Sequence, residues 1–443
     1  MKKRKNGKAF KKRHEGIVKA YMSIKENATN GLKILLGKSK AFSQVQASWR
    51  FLNNENVTIE ALFEPIKEST KEEIEKHCDE YVLAMSDWSH LDYKKHHKKE
   101  ELERKEKKDN CKQLGYDLQT TIAVSDKTGE PIAPLVHNLK TSEKVYSTYD
   151  ENIDMKKTHL EELASRAKAI KEELKTNKKI VHIVDRESDS VAFMRELSKN
   201  NELFLLRVKR NVSVYYCKEE KSIKQGELAD KLGLGKYVKT IRYKKKKVKI
   251  YVNECDVEVR RDATKTIIDE EGKKSVKKTS GDAIKARFVV ERLVDEKNNI
   301  VAEWLLITNI LDTNVLAETL ALWYYYRWKI ESYFKLLKSS GFNLEEWQQK
   351  KPIALFKRLL VVSFSCLLVW KIANDNSQNA KKVREFLVSL SGRLIERGKE
   401  FTLPALLAGL ENYLQMMDVM LLFSREELLD MKKMLTELVD RDF

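Results

Sequence analysis

The spacing of apolar residues divides the chain into a helical beginning, a mixed middle and a helical end. From Val18 to Ser69 the period is helical: within Ala41–Asn53, Phe42, Val45, Trp49 and Leu52 recur every three or four residues and share one face. The segment NNENVT ends that helix and starts another, with Asn56 and Thr58 as capping residues. Tyr81–Met85 is a short apolar run and predicts a strand that stops at Ser86-Asp87. Leu118–Val124 and Ile132–Leu139 flank DKTGEP, where Gly129 and Pro131 supply the turn chemistry of a β-hairpin. A charged amphipathic helix is expected over Lys156–Thr176 and a buried strand over Lys179–Val184, ending at Asp185. A helix over Val191–Leu197 and a strand over Leu203–Val208 follow.

From about Asn211 to Lys285, lysine runs and the alternating stretch VKIYVNECDVEVR predict a β-rich insertion. Strand character returns at Ala286–Val294 and Trp304–Ile307. One long helix is expected from about Val315 to Ser339, stopped by Gly341, and the chain is helical from Pro352 on. The pattern predicts a mixed α/β protein in three parts: a helical part over 1–75, a sheet-containing part over 76–350 interrupted at about 211–285, and a helical part over 351–443. The first part, with its basic tail, suits a DNA groove or a plain scaffold. In the last part Leu406, Leu410, Tyr413, Leu414 and Met417 recur at helical spacing, for a core and for a subunit contact.

Charge narrows the classes. Lys and Arg number 85 against 67 Asp and Glu, a net +18. Such a balance points to a polyanionic partner, nucleic acid foremost, although a lysine-rich soluble protein carries it too. The five cysteines are far apart and form no CxxC pair, so free thiols in a reducing, cytoplasmic compartment are expected and a zinc site is not. No apolar segment follows the basic start, as a signal peptide would need. Leu359–Trp370, the longest apolar stretch, falls short of the roughly 20 residues of a bilayer span, so no membrane is expected. No P-loop implies a nucleotide cofactor.

Three carboxylates stand where chemistry would place them: Asp87 past a strand, Asp185 at the end of a buried strand, and Glu331 on a long helix. Strand ends and a facing helix are rigid supports for oxygen ligands. Hard oxygen donors suit Mg²⁺, and two such ions serve phosphoryl transfer. Acidic residues are abundant, however, and three can be picked by chance. On a continuous helix at about 100° per residue, Tyr324, Arg327, Glu331 and Lys338 fall within an arc of about 60°. That face carries a phenol, a guanidinium, a carboxylate and an ammonium, able to hold phosphates beside a metal-binding carboxylate. An ordinary charged helix face looks the same, and Trp328 beside it suits either a core or a base-stacking platform.

The spacing Tyr324-x₂-Arg327-x₃-Glu331-x₆-Lys338 resembles the Y-R-E-K signature of the IS4-type DDE transposases. Asp185-Arg186-Glu187-Ser188-Asp189 is similar to the family's D-R-E-x-D motif, and Asp87 with Tyr93 is similar to the surroundings of its first aspartate. Trp304, which opens WLLIT, is similar to a tryptophan that packs on a flipped base in a member of the family. Arg207 and Lys209 fall where the family carries basic DNA contacts, and SWRFLNNENVT resembles its end-recognition domain. The resemblance runs from about residue 20 to 375. It implies an RNase H-like catalytic core with an inserted β-rich subdomain, flanked by helical N- and C-terminal domains. Asp87, Asp185 and Glu331 would hold two Mg²⁺ ions, with Mn²⁺ as a substitute. Tyr324, Arg327, Lys338, Arg207, Lys209, Trp304 and Trp328 would meet DNA. The partners implied are double-stranded transposon ends and target DNA, brought together by a homodimer in a synaptic complex.

Arg186, Glu187 and Asp189 are expected to support Asp185 rather than bind metal. His182 reads as a core residue or a support, and His96 and His97 as solvated. Two other classes fit the same residues: a non-catalytic DNA-end-binding regulator, and a stand-alone RNase H-like nuclease. Intact acidic positions argue against the first. The helical N-terminal part and basic insertion argue against the second.

Overall fold

The computed structural model describes residues 38–106, 112–243, 246–268 and 274–442. The basic tail, Cys111, and parts of the lysine run and of the turn-prone segment near residue 270 lie outside the described residues. The chain forms two compact units: Lys67–Ser89 with Leu118–Ser332, and Met1–Ile66 with His90–Asp117 and Tyr333–Phe443.

The strands are β1 (Tyr81–Asp92), β2 (Glu103–Glu106), β3 (Lys112–Ser125), β4 (Pro131–Lys140), β5 (Val145–Ser147), β6 (Lys179–Val184), β7 (Leu203–Arg207), β8 (Ser213–Tyr216), β9 (Lys221–Lys224), β10 (Lys236–Tyr243), β11 (Lys246–Val259), β12 (Ala263–Ile268), β13 (Lys274–Thr279), β14 (Ile284–Val294) and β15 (Ile300–Thr308). The sheet runs β5-β4-β3-β1-β6-β7-β15-β14-β11-β8-β9. β1 is parallel to β6, and β6 to β7. All of KIVHIV in β6 except Lys179 is buried, as expected of a parallel strand covered on both faces.

Three expectations change. β1 does not stop at Ser86-Asp87 but continues to Asp92. Its neighbour β3 is longer than β6, so the ladder carries β1 on after β6 ends. The expected insertion is not set apart from the central sheet: β11 pairs with β14 from Lys249↔Val294 to Val259↔Ile284, β14 with β15, and β15 with β7. Alternation along a strand reveals its two faces but not its partner. Of these strands β12 and β13 alone form a separate ribbon.

Nor is Val315–Ser339 one helix. Ala317–Tyr325 ends in a turn at Tyr326-Arg327, Trp328–Lys335 follows, and Leu336–Ser340 is a π-helical turn. The N–H groups of Arg327, Lys329 and Ile330 reach back three residues, to the carbonyls of Tyr324, Tyr326 and Arg327, at 3.0, 2.9 and 3.1 Å. This tightened backbone departs from the even 100° count assumed for an unbroken helix.

In the sheet-bearing unit, helices His159–Leu174 and Val191–Lys199 bury Leu163, Ala167, Phe193 and Met194 with Phe204 and Leu206 of β7. The first helix starts at a reciprocal cap between Thr158 and Glu161. Its fully buried Arg166 pairs with Glu162 and donates to Thr121 and Gln119 at 3.2 Å. A buried ion pair costs desolvation, and these extra bonds offset it while fixing the helix on β3.

The other unit is mostly helical. Pro352 opens the apolar helix Pro352–Asn374 at a position where its missing N–H costs nothing. Among the described residues it is the one helix long and apolar enough to cross a membrane, and it is largely buried. Lys357 on it donates to the Asn54 carbonyl at 2.9 Å, which ties it to the helix Lys38–Asn53. Thr58 caps the next helix by accepting from the Ala61 N–H at 3.1 Å. Helices Gln378–Leu390 and Leu403–Leu422 approach so closely at Gly409 that a Cβ there would lie 1.9 Å from the Leu387 carbonyl oxygen.

Candidate active site

The two aspartates meet through strand register. The last registered pair of β1 and β6 is Met85↔Ile183. Asp87 and Asp185 each lie two residues beyond it, on strands that neighbour at about 4.8 Å. Both therefore lie just past the carboxyl end of the parallel β1–β6 ladder. Asp185 also caps the short turn Arg186–Ser188, accepting the Glu187 N–H at 3.0 Å, which fixes its carboxylate.

Glu331 is brought to them by Arg327. The guanidinium donates to Asp87 Oδ2 at 3.0 Å and, through its other terminal nitrogen, to Glu331 Oε1. Asp87 Oδ1 accepts the Trp88 N–H at 2.8 Å. The tightened turn at Tyr326-Arg327 thus points Arg327 inward, where its side chain is 11% exposed. Tyr324 is buried beside it, and burial pushes its phenol above the usual range against the pull of Arg327 and Arg207.

Burial lifts the Asp87 carboxyl from 3.8 to about 6, with Arg327 and the Trp88 N–H opposing and Asp185 and Glu331 adding to the rise. Burial, then Asp185, likewise raises Glu187, and Lys209 opposes. Three carboxylates thus share one field, and a guanidinium bridges two of them. As placed around Arg327, no three acidic, His or Cys side chains among the described residues stand together at metal-holding distance. The donor set is nonetheless all hard oxygen, and a cation already stands among these carboxylates, so the residues fit a divalent ion.

A carboxyl that holds its proton more tightly folded than unfolded stabilises the fold fully below the unfolded value, and that contribution is lost as pH rises through the folded value. For Asp87 the window runs from 3.8 to about 6, worth at most about 3 kcal/mol. In chelator, Asp87→Asn should therefore match the parent near pH ~4, gain on it as pH rises toward ~6, and hold that lead above ~6. Denaturant melts of both proteins across that range check this. A stability difference independent of pH would contradict it.

Asp189 does not line the acidic cluster. Its buried carboxylate accepts from the Lys209 N–H at 2.8 Å and from Arg261 at 2.5 Å, joining the Asp185 turn to the end of β7. Arg186, Arg207, Lys209, Arg210 and Asn211 line a cleft of about 420 Å³ with Glu303. Trp304 is 7% exposed and lies edge-on to Tyr243, ring centroids 6.1 Å apart. Trp328 is 45% exposed, with the Arg327 guanidinium 5.6 Å from its ring. Lys338 belongs to the other unit, where it donates to the His90 carbonyl at 2.7 Å and pairs with Glu345 at 2.9 Å. His182 is buried 3.4 Å from Glu202. Sequence reasoning missed the Trp88 N–H on Asp87, because backbone donors leave no mark in side-chain patterns.

With this geometry established, the chain matches the Transposase DDE domain family over residues 79–369. That is more than half of its length, and the chain belongs to this family. It is thus an enzyme of DNA transposition, of the class that cleaves DNA and transfers strands, generally with divalent metal ions. No curated protein matches it. Among solved structures, the chain is similar to a piggyBac transposase synaptic complex with hairpin DNA, determined by cryo-electron microscopy. Identity is 9%, coverage is 94% of this chain and 74% of that one, and the TM-score is 0.35.

Proposed function

We propose that this transposase is a cut-and-paste enzyme of the IS4 type. Its catalytic part would be an RNase H-like core, a reading supported by the sheet order β4-β3-β1 followed by the parallel strands β6 and β7. The observation that carries the active-site reading is that Asp87 and Asp185 each lie two residues past the last registered pair of β1 and β6, with Glu331 linked to Asp87 through one guanidinium. Asp87, Asp185 and Glu331 would hold two Mg²⁺ ions, or Mn²⁺, which activate an attacking oxygen and stabilise a leaving one. Arg327 and Tyr324 orient the acidic cluster and meet phosphate when DNA enters. Arg207, Lys209 and Arg186 line the cleft that holds the backbone. Water nicks the transposon end, the freed 3′-hydroxyl attacks the opposite strand to close a hairpin, and reopening yields the 3′-hydroxyl that joins target DNA. Residues 1–75 recognise the end, and residues 351–443 pair two subunits into a synaptic homodimer. The protein acts in the bacterial cytoplasm, at the nucleoid.

The test uses a duplex carrying the inverted repeat that flanks the gene, labelled on each strand and incubated with the full chain and Mg²⁺. Nicked and hairpin products are expected on denaturing gels. Specific binding with no cleavage in Mg²⁺ or Mn²⁺ would overturn the catalytic reading, and nicks without hairpins would overturn the hairpin step.

A further inference from the structure

The turn between β3 and β4 touches the signature segment at three successive points. The Asp126 carbonyl accepts from Trp323 Nε1 at 3.1 Å. Gly129, at φ +70°, lies under the Tyr326 ring, and a Cβ there would meet that ring at 2.2 Å. Glu130 holds Lys329 through both carboxylate oxygens at 2.8 Å. These contacts fall just before, at and just after the break at Tyr326-Arg327, from which Arg327 reaches Asp87 and Glu331. The same Asp126 grips the start of β1: its carboxylate accepts the N–H groups of Asp79, Glu80 and Tyr81 at 2.9, 3.1 and 2.9 Å. One turn therefore grips both the strand that carries Asp87 and the bend that carries Arg327.

We propose that the Asp126–Glu130 turn is a positioning device for catalysis, with Glu130, through Lys329, setting the angle at which Glu331 and Arg327 meet Asp87. This rests on the active-site reading above. The Glu130–Lys329 pair is half-exposed, with side chains 46% and 31% accessible, so it contributes little to stability. Losing it should instead misplace a carboxylate in a site where small displacements cost rate.

The test compares Glu130→Lys, Lys329→Glu and the double reversal, in the full chain, by single-turnover cleavage of the end duplex at varied Mg²⁺. Each single reversal should cut about tenfold or more slowly and need more Mg²⁺ for half-maximal rate. End binding and melting temperature should stay at the parental values. The double reversal should return the rate to within about threefold, a recovery that a passive surface pair would not give. Gly129→Ala, which must displace Tyr326, should slow cleavage without changing end binding. Parental rates in both single reversals, or no recovery in the double, would overturn the proposal. Glu331→Gln is the control: if it cuts normally, the active-site reading itself fails. If it is inactive while the reversals are normal, only the positioning role fails.

Discussion

Glu331→Gln, Asp87→Asn and Asp185→Asn should each lower DNA cleavage by about three orders of magnitude or more, an increase of roughly 4 kcal/mol in the barrier. Each change keeps the side chain's shape and removes one negative charge from the cluster. A metal-assisted phosphoryl transfer loses both ligand strength and ion position when any of its carboxylates is neutralised. Specific end binding should remain near the parental level, because none of the three is a cation that meets phosphate. Gel-shift and single-turnover assays on the same preparations separate the two effects. Parental cleavage by any one of the three would remove that residue from the site.

Arg327→Ala has the second largest expected effect, and its sign differs between two readouts. In the resting protein the guanidinium occupies Asp87 and Glu331 together. Removing it leaves carboxylates that repel one another, and a divalent ion relieves that repulsion. Metal should bind the variant more tightly than the parent. Cleavage should nevertheless fall by about a hundredfold, because the group that orients both carboxylates and meets phosphate is gone. Arg327→Lys should recover only part of the rate, since a point charge cannot bridge two carboxylates as a planar fork does. Calorimetric Mn²⁺ titration paired with rate measurement tests both halves. Weaker metal binding in Arg327→Ala would mean that the arginine supports the ion rather than competing with it.

Much of the candidate site is legible in the sequence because its signals are local. The KIVHIV run marks a buried strand whose end delivers Asp185, and Tyr324, Arg327 and Glu331 keep a spacing that puts them near one another on any helical backbone. What failed was the assumption of regularity. An unbroken helix was expected through Arg327, but the turn there swings its side chain onto Asp87, 240 residues away in sequence. The strand before Asp87 was expected to end where its apolar run ended. It continues because β3, not its own composition, supplies the ladder.

The sequence by itself determined most of the helical and strand segments and the excess of positive charge, and it singled out Asp87, Asp185 and Glu331 as candidates, since periodicity, charge and spacing are properties of neighbours along the chain. Only the tertiary structure decided that Asp87 and Asp185 each lie two residues past the last registered pair of β1 and β6, that the lysine-rich strands extend the central sheet, and that one hairpin turn holds the bend at Tyr326-Arg327. Strand partners, register and a guanidinium shared by two carboxylates depend on contacts between residues far apart in sequence, and no local pattern encodes those.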